Sequence, residues 1–111
     1  MSKAWIYINR RKKIKAKICD NPLTLGTGLM LTTRDIGAIL IQPKKRKARL
    51  HNLFVFKRLR AALLDEHNKV IEIIEMKPFY FYKSKKETRI IIELPERIKI
   101  RIGDKITWKK I

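Results

Sequence analysis

Cysteine occurs once in this chain, at position 19, so no internal disulfide can form. A lone thiol suits a reducing compartment and is most often a small core residue. Histidine occurs twice (His51, His67) and serine twice (Ser2, Ser84). A catalytic triad needs a nucleophile, a base and an orienting acid, and this inventory does not supply one at any useful spacing. Ser84 sits in a Lys-rich stretch read as a loop, His67 falls in an expected turn, and His51 adjoins a basic run. No pair has the spacing of a zinc site. The expectation is a non-enzymatic protein with no catalytic residue, no metal ligand and no cofactor. Glycine and proline number four each, too few for a low-complexity linker. No apolar run approaches the roughly 20 residues of a membrane-spanning helix, and "MSKAWIYINRRKK" lacks the apolar centre of an export signal. A soluble cytoplasmic protein is expected, with no membrane partner and with nucleoid association as an option.

Acidic residues are the most telling scarcity. Ten Asp plus Glu stand against 28 Lys plus Arg, a formal net charge of +18. Surfaces hardened for heat are also Lys-rich, but there Glu rises alongside to form ion-pair networks. Here it does not. The excess is uneven: residues 1–60 carry sixteen cations and two acids, Asp20 and Asp35. Such a surplus repels itself and attracts polyanions.

With 111 residues the chain is read as one domain spanning 1–111. Hydrophobic residues make up 45% of it, enough for a modest core, and eighteen of them are isoleucine, a strand former. "AWIYIN" (4–9) alternates as a strand, followed by a turn at Asn9, Arg10 and Arg11. "KKIKAKIC" (12–19) alternates clearly, with Ile14, Ala16 and Ile18 on one face and Lys13, Lys15 and Lys17 on the other. Asp20, Asn21 and Pro22 break it. "LTLGTGLM" (23–30) is short, with two glycines and room for a helical turn. "GAILIQP" (37–43) reads as a buried strand ended by Pro43. Further strands are expected at about 49–56, 70–76 and 88–94. "RIKIRI" (97–102) alternates again, with Ile98, Ile100 and Ile102 inward and Arg97, Lys99 and Arg101 outward. A turn at Gly103–Asp104 leads to a last strand, "KITW" (105–108). "KRLRAALLDE" (57–66) has helical periodicity yet sits between strands. Many short strands point to an all-β sandwich or barrel.

The motifs "GLM" (28–30), "GAILIQP" (37–43), "LHNLFVF" (50–56), "LLDEHNKVIEIIEMKPF" (63–79) and "IIIELPERIKIRIGDKITW" (90–108) follow in an order that resembles the domain of unknown function 192 family of small archaeal and bacterial proteins. The resemblance covers about residues 14–108. It implies a mainly β, single-domain, sandwich- or barrel-like fold with one or two short helices, and a strand over 59–65. It implies no biochemical role. One departure stands out: family members commonly carry an acid in a "P-I-D" or "P-L-D" stretch where this chain has Arg58, Leu59 and Arg60. A guanidinium stands in place of that carboxylate, so ligand chemistry that used the acid is not expected here.

Four features bear on function. "GTGLM" lacks the longer phosphate-loop pattern and is read as backbone turns beside buried Leu29 and Met30. Within Phe79–Tyr82, strand alternation would send Phe79 and Phe81 inward and leave Tyr80 and Tyr82 outward as candidate base-stacking rings. The rows Lys13/Lys15/Lys17 and Arg97/Lys99/Arg101 place cations about 6.6–6.8 Å apart along a strand, close to the phosphate repeat of one nucleic-acid strand. "KKRKAR" adds Lys44, Lys45, Arg46, Lys47 and Arg49 in a mobile loop or strand edge. The sequence therefore points to a nucleic-acid binder, DNA or RNA, with little sequence preference. Its expected contacts are Arg10, Arg11, Lys13, Lys15, Lys17, Lys44, Lys45, Arg46, Lys47, Arg49, Lys83, Lys85, Lys86, Arg97, Lys99 and Arg101. The alternatives are an interaction or scaffold module with an acidic protein partner and a small-ligand site in the family fold.

Overall fold

The computed structural model describes residues 2–19, 37–51, 58–77 and 80–111. The "GLM" motif with its Gly-rich turn, the Asp20–Pro22 break, most of "LHNLFVF", and Phe79 lie outside them. Seven strands are present: β1 (Ser2–Ile8), β2 (Lys12–Cys19), β3 (Gly37–His51), β4 (Leu59–Leu64), β5 (Val70–Met76), β6 (Phe81–Pro95) and β7 (Ile106–Lys110). They form one sheet in the order β5-β4-β6-β3-β2-β1-β7, antiparallel throughout except for the parallel β2–β3 pair. The fold is mainly β, and among the described residues there is no helix. The strand expected at 59–65 is β4, so its position between two β neighbours overrides the helix propensity of "RAALL".

The two edges of the sheet meet at one end. Lys69 and Lys105 form an antiparallel bridge. Beside it the Val70 N–H donates to Asp104 O (2.9 Å), the Gly103 N–H to Val70 O (2.8 Å) and the Ile106 N–H to Asn68 O (2.9 Å). Gly103 turns the chain there at φ 92, a conformation that a Cβ would strain. The sheet thereby curls round an apolar interior. Ala4, Ile6 and Ile8 of β1, Ile14, Ala16 and Ile18 of β2, Ile39, Ala62, Leu64, Ile92, Leu94 and Ile106 fill it. Period-two alternation is what turns each of these strands' apolar rows to the same side.

"RIKIRI" is not a strand. After Pro95 the chain turns and runs irregularly to Asp104. Ile98 and Ile100 still enter the interior, but Ile102 is 63% exposed. Arg60 holds this segment in place. Its Nε bonds Glu75 Oε1 at 2.7 Å, and its Nη1 donates to the carbonyls of Glu96 (2.9 Å) and Ile98 (3.0 Å). The Arg60 guanidinium is thus a bracket between β4, β5 and the barrel end.

Pro43 does not end β3. The β3–β6 register shifts between Ile41 and Arg46, and the proline sits in that irregularity, where a missing N–H is tolerated. The buried Gln42 side chain substitutes for ladder bonds: its Nε2 donates to Thr88 O (2.8 Å) and Arg46 O (3.2 Å), and its Oε1 accepts from Arg46 Nε (2.9 Å). Beyond the shift, the far halves of β3 and β6 continue as a two-stranded ribbon. Ala48, Leu50 and Tyr82 on it pack with Leu59, Leu63, Met76 and Ile91 in a second apolar cluster on the outer face of β4, β5 and β6. The Glu72 carboxylate accepts the N–H groups of Lys85 and Lys86, and the Lys77 N–H donates to the Tyr82 hydroxyl at 2.7 Å. Ser84, expected in a loop, is a buried strand residue whose hydroxyl accepts from Ala48 N–H (2.8 Å) and donates to Lys86 O (2.7 Å).

Replacing Arg60 by Met keeps the aliphatic stem but strips three acceptors of their donor. We expect a loss of about 1–3 kcal/mol, read as a lower urea midpoint with an unchanged slope.

Candidate nucleic-acid interface

Cations and acids are segregated on this fold. No carboxylate occurs in β1, β2, β3 or β7. The described acids lie on β5, β6 and the turns: Asp65, Glu66, Glu72, Glu75, Glu87, Glu93, Glu96 and Asp104. Several are already committed. Glu75 is taken by Arg60 and Glu72 by backbone N–H groups. Asp65 accepts from the backbone of Lys69 and His67, and the Lys69 bond leads in holding its carboxyl below the ordinary aspartate range. Among the described residues no ion pair reaches Lys13, Lys15, Lys17, Lys44, Lys45, Lys47, Arg49, Lys83, Lys85 or Lys86.

The ribbon gathers two of the sequence clusters. Lys44, Lys45, Arg46, Lys47 and Arg49 lie on β3, and Lys83, Lys85 and Lys86 on the strand paired with it, all exposed. The basic run is therefore strand rather than loop. Arg49 stands directly opposite Lys83, and only Lys47 faces an acid, Glu87. Arg46 differs from its neighbours, since its guanidinium is tied to Gln42.

The β2 row is as expected: Lys13 and Lys15 are exposed and Lys17 is half-buried, all on the outer face. Because β2 and β3 run parallel, the ribbon leaves the sheet at the Lys17 end of this row. Arg97, Lys99 and Arg101 are exposed but lie on the irregular barrel end, not on a strand face. Arg10 and Arg11 occupy the β1–β2 turn. Asn9 binds that turn to the barrel end, donating to Asp104 Oδ1 (3.0 Å) and accepting from Lys105 N–H (2.9 Å).

The aromatic run needs correction. Phe81 is 73% exposed, not inward, and Tyr80 is 58% exposed. Tyr82 is half-buried against the outer apolar cluster with its hydroxyl engaged. The register of the ribbon, rather than simple alternation from Phe79, decides this. Sequence reading also overlooked Lys3, Trp5, Tyr7 and Lys109. Trp5 pairs with both Lys15 and Lys109, and Lys13 Nζ lies 4.2 Å from the Trp5 ring centroid. The alternation of "AWIYIN" already sets Trp5 and Tyr7 apart from Ala4 and Ile6. What it lacked was the pairing partner.

The UPF0127 protein of Pyrococcus horikoshii is 30% identical to this chain over 113 aligned residues, covering 93% of this chain and 98% of that protein. The chain belongs to the UPF0127 family. The UPF0127 protein of Pyrococcus abyssi is 28% identical, over 93% of this chain and 97% of its own length. UPF0127 is an uncharacterised family, and no family model matches the chain. Among solved structures, a candidate transcription regulator from Sinorhizobium meliloti has a TM-score of 0.79 at 13% identity, covering 96% of this chain and 92% of that one. A protein of unknown function from Novosphingobium aromaticivorans also has 0.79, at 18% identity, over 96% of this chain and 84% of that one. These likenesses show that the UPF0127 fold is shared. Among the described residues no helix is long and apolar enough to cross a membrane.

One acid lies beside the cationic face of this UPF0127 chain. Lys17 faces Ala38, Ala38 faces Glu93, and Glu93 faces Ala61 across successive strands. Glu93 is buried, and among the described residues its carboxyl makes no hydrogen bond or ion pair. Burial raises its pKa from 4.5 to about 7. The folded state therefore holds a proton that the unfolded chain releases near pH 4.5. This contribution to stability is complete below that pH and is lost as pH rises through about 7. We expect Glu93→Gln to remove about 3 kcal/mol of pH-dependent destabilisation. Urea midpoints measured on either side of that window should diverge for the unaltered protein and converge for the variant.

Proposed function

We propose that this protein is a non-enzymatic nucleic-acid binder with little sequence preference, which holds phosphates on the exposed cations of the ribbon and of β2. One observation carries the reading: like charges are stacked directly across strands without relief. Arg49 faces Lys83 and Lys3 faces Lys17. Opposed like charges cost stability, and a phosphate backbone would remove that cost on binding. Lys44, Lys45 and Lys47 act as point charges, while Arg49 can grip a phosphate with two parallel N–H bonds. Arg10, Arg11, Arg97, Lys99 and Arg101 form a second, smaller group at the barrel end. The likeness to a candidate transcription regulator agrees with this reading at the level of fold alone. The same proposal includes a cytoplasmic location, with nucleoid association as an option. It also includes membership of the domain of unknown function 192 family, supported by the motif order above.

A second reading is a protein-interaction module with an acidic partner. The exposed Tyr80 and Phe81 rings near the ribbon favour it. Pull-down with and without nuclease separates the two, because nuclease-sensitive partners belong to the first.

If about five to seven phosphates are contacted, log K against log salt falls with a slope of roughly −4.5 to −6 on duplex DNA. Binding indifferent to salt would end the proposal. Reversing Lys44, Lys45, Lys47 and Arg49 to Glu, with Arg46 spared for its bond to Gln42, should flatten that slope by about three to four while the circular dichroism spectrum is retained.

A further inference from the structure

The strands β2, β1 and β7 present an outer face that charge alone does not explain. Across it, Lys3 faces Lys17, Trp5 lies between Lys15 and Lys109, and Tyr7 lies between Lys13 and Thr107. The alternate residues Ala4, Ile6, Ile8, Ile14, Ala16, Ile18 and Ile106 are buried in the barrel, so these partners point the other way. Both rings are half-buried. The exposed Lys13 side chain places its ammonium 4.2 Å from the Trp5 centroid, so one ring face is covered by a side chain on the solvent side rather than by the core. No Asp or Glu occurs in residues 1–19 or 105–111, so the face carries no acidic side chain of its own strands.

Rings interleaved with unpaired ammonium groups suit one class of polyanion. A duplex hides the faces of its bases, and an inorganic polyanion has none. An unpaired strand offers both stackable bases and phosphates. Trp5 and Tyr7, two residues apart, are separated by about 6.6–6.8 Å along β1, a step comparable with successive nucleotides of an extended strand. We infer that the β2–β1–β7 face is a platform for single-stranded nucleic acid on which Trp5 and Tyr7 each stack one base. Lys3, Lys13, Lys15, Lys17 and Lys109 hold the flanking phosphates. Lys13, already over Trp5, gives up that position to the incoming base and turns to a phosphate. This inference rests on the nucleic-acid reading above and adds the preference for unpaired strands.

The test compares single-stranded DNA, single-stranded RNA, duplex DNA and inorganic polyphosphate as ligands. A Trp108→Phe background leaves Trp5 as the one indole. Its fluorescence should be quenched by either single strand and not by polyphosphate. Trp5→Leu and Tyr7→Leu should each weaken single-strand binding by about fivefold or more, and leave duplex and polyphosphate binding within about twofold. Trp5→Phe, which keeps a ring, should recover part of the loss, and it serves as the comparison if Trp5→Leu unfolds. Absence of quenching by single strands, or equal losses on all ligands in folded variants, would overturn the stacking platform and leave the phosphate-binding reading in place. Failure of the unaltered protein to bind any nucleic acid would overturn both.

Discussion

A slip of β2 by one residue against its neighbours would drive Lys13, Lys15 and Lys17 into the barrel and throw Ile14, Ala16 and Ile18 into water. Desolvating three unpaired ammonium groups costs far more than any local rearrangement could return. That penalty fixes the register of β1 on β2 and of β2 on β3. The rest of the molecule is built on it. The same alternation that fills the interior with isoleucine lines the outer surface with lysine, so core and charged face are two readings of one pattern. Neither can be altered without the other.

The arrangement carries a standing electrostatic cost. Like charges lie opposite one another on β1–β2, on the ribbon and at the Lys69–Lys105 closure. The acids that could have relieved them are used elsewhere, as brackets and backbone acceptors. Glu72 and Glu75 hold chain segments together rather than neutralise the lysine rows. Burial keeps Glu93 protonated below about pH 7, so in that range it adds little negative charge beside Lys17. With Asp65, Glu72 and Glu75 committed to structure, most of the positive surface stays uncompensated.

Where the sequence alternated cleanly and both strand faces differed in polarity, it was readable. β1, β2, β5 and the turn at Asn9–Arg11 lie where alternation and turn chemistry put them. The losses have separate causes. Pro43 reads locally as a stop, and only the distant Thr88 and the Gln42 amide make a bulge of it. "RIKIRI" has a strand's period, yet Arg60 captures the Glu96 and Ile98 carbonyls that a strand partner would need. The direction of Phe81 and Tyr82 depends on ribbon register, a pairing across thirty or more positions of chain. The cationic clusters were legible one by one. That β1 supplies two rings to the β2 lysine row was not, because it follows from strand pairing rather than from any run of residues.

The joining of β7 to β1 has a kinetic meaning. Each hairpin can form from neighbours in sequence, but the barrel wall is completed only when the strand at 106–110 reaches the one at 2–8, with nearly the whole chain between them. Contacts of such long sequence separation slow folding. Until that last strand arrives, one edge of β1 stands open, with the isoleucines of the first hairpin only partly covered. A chain emerging residue by residue from its site of synthesis would therefore expose a lysine-studded, sticky ribbon long before it could shut.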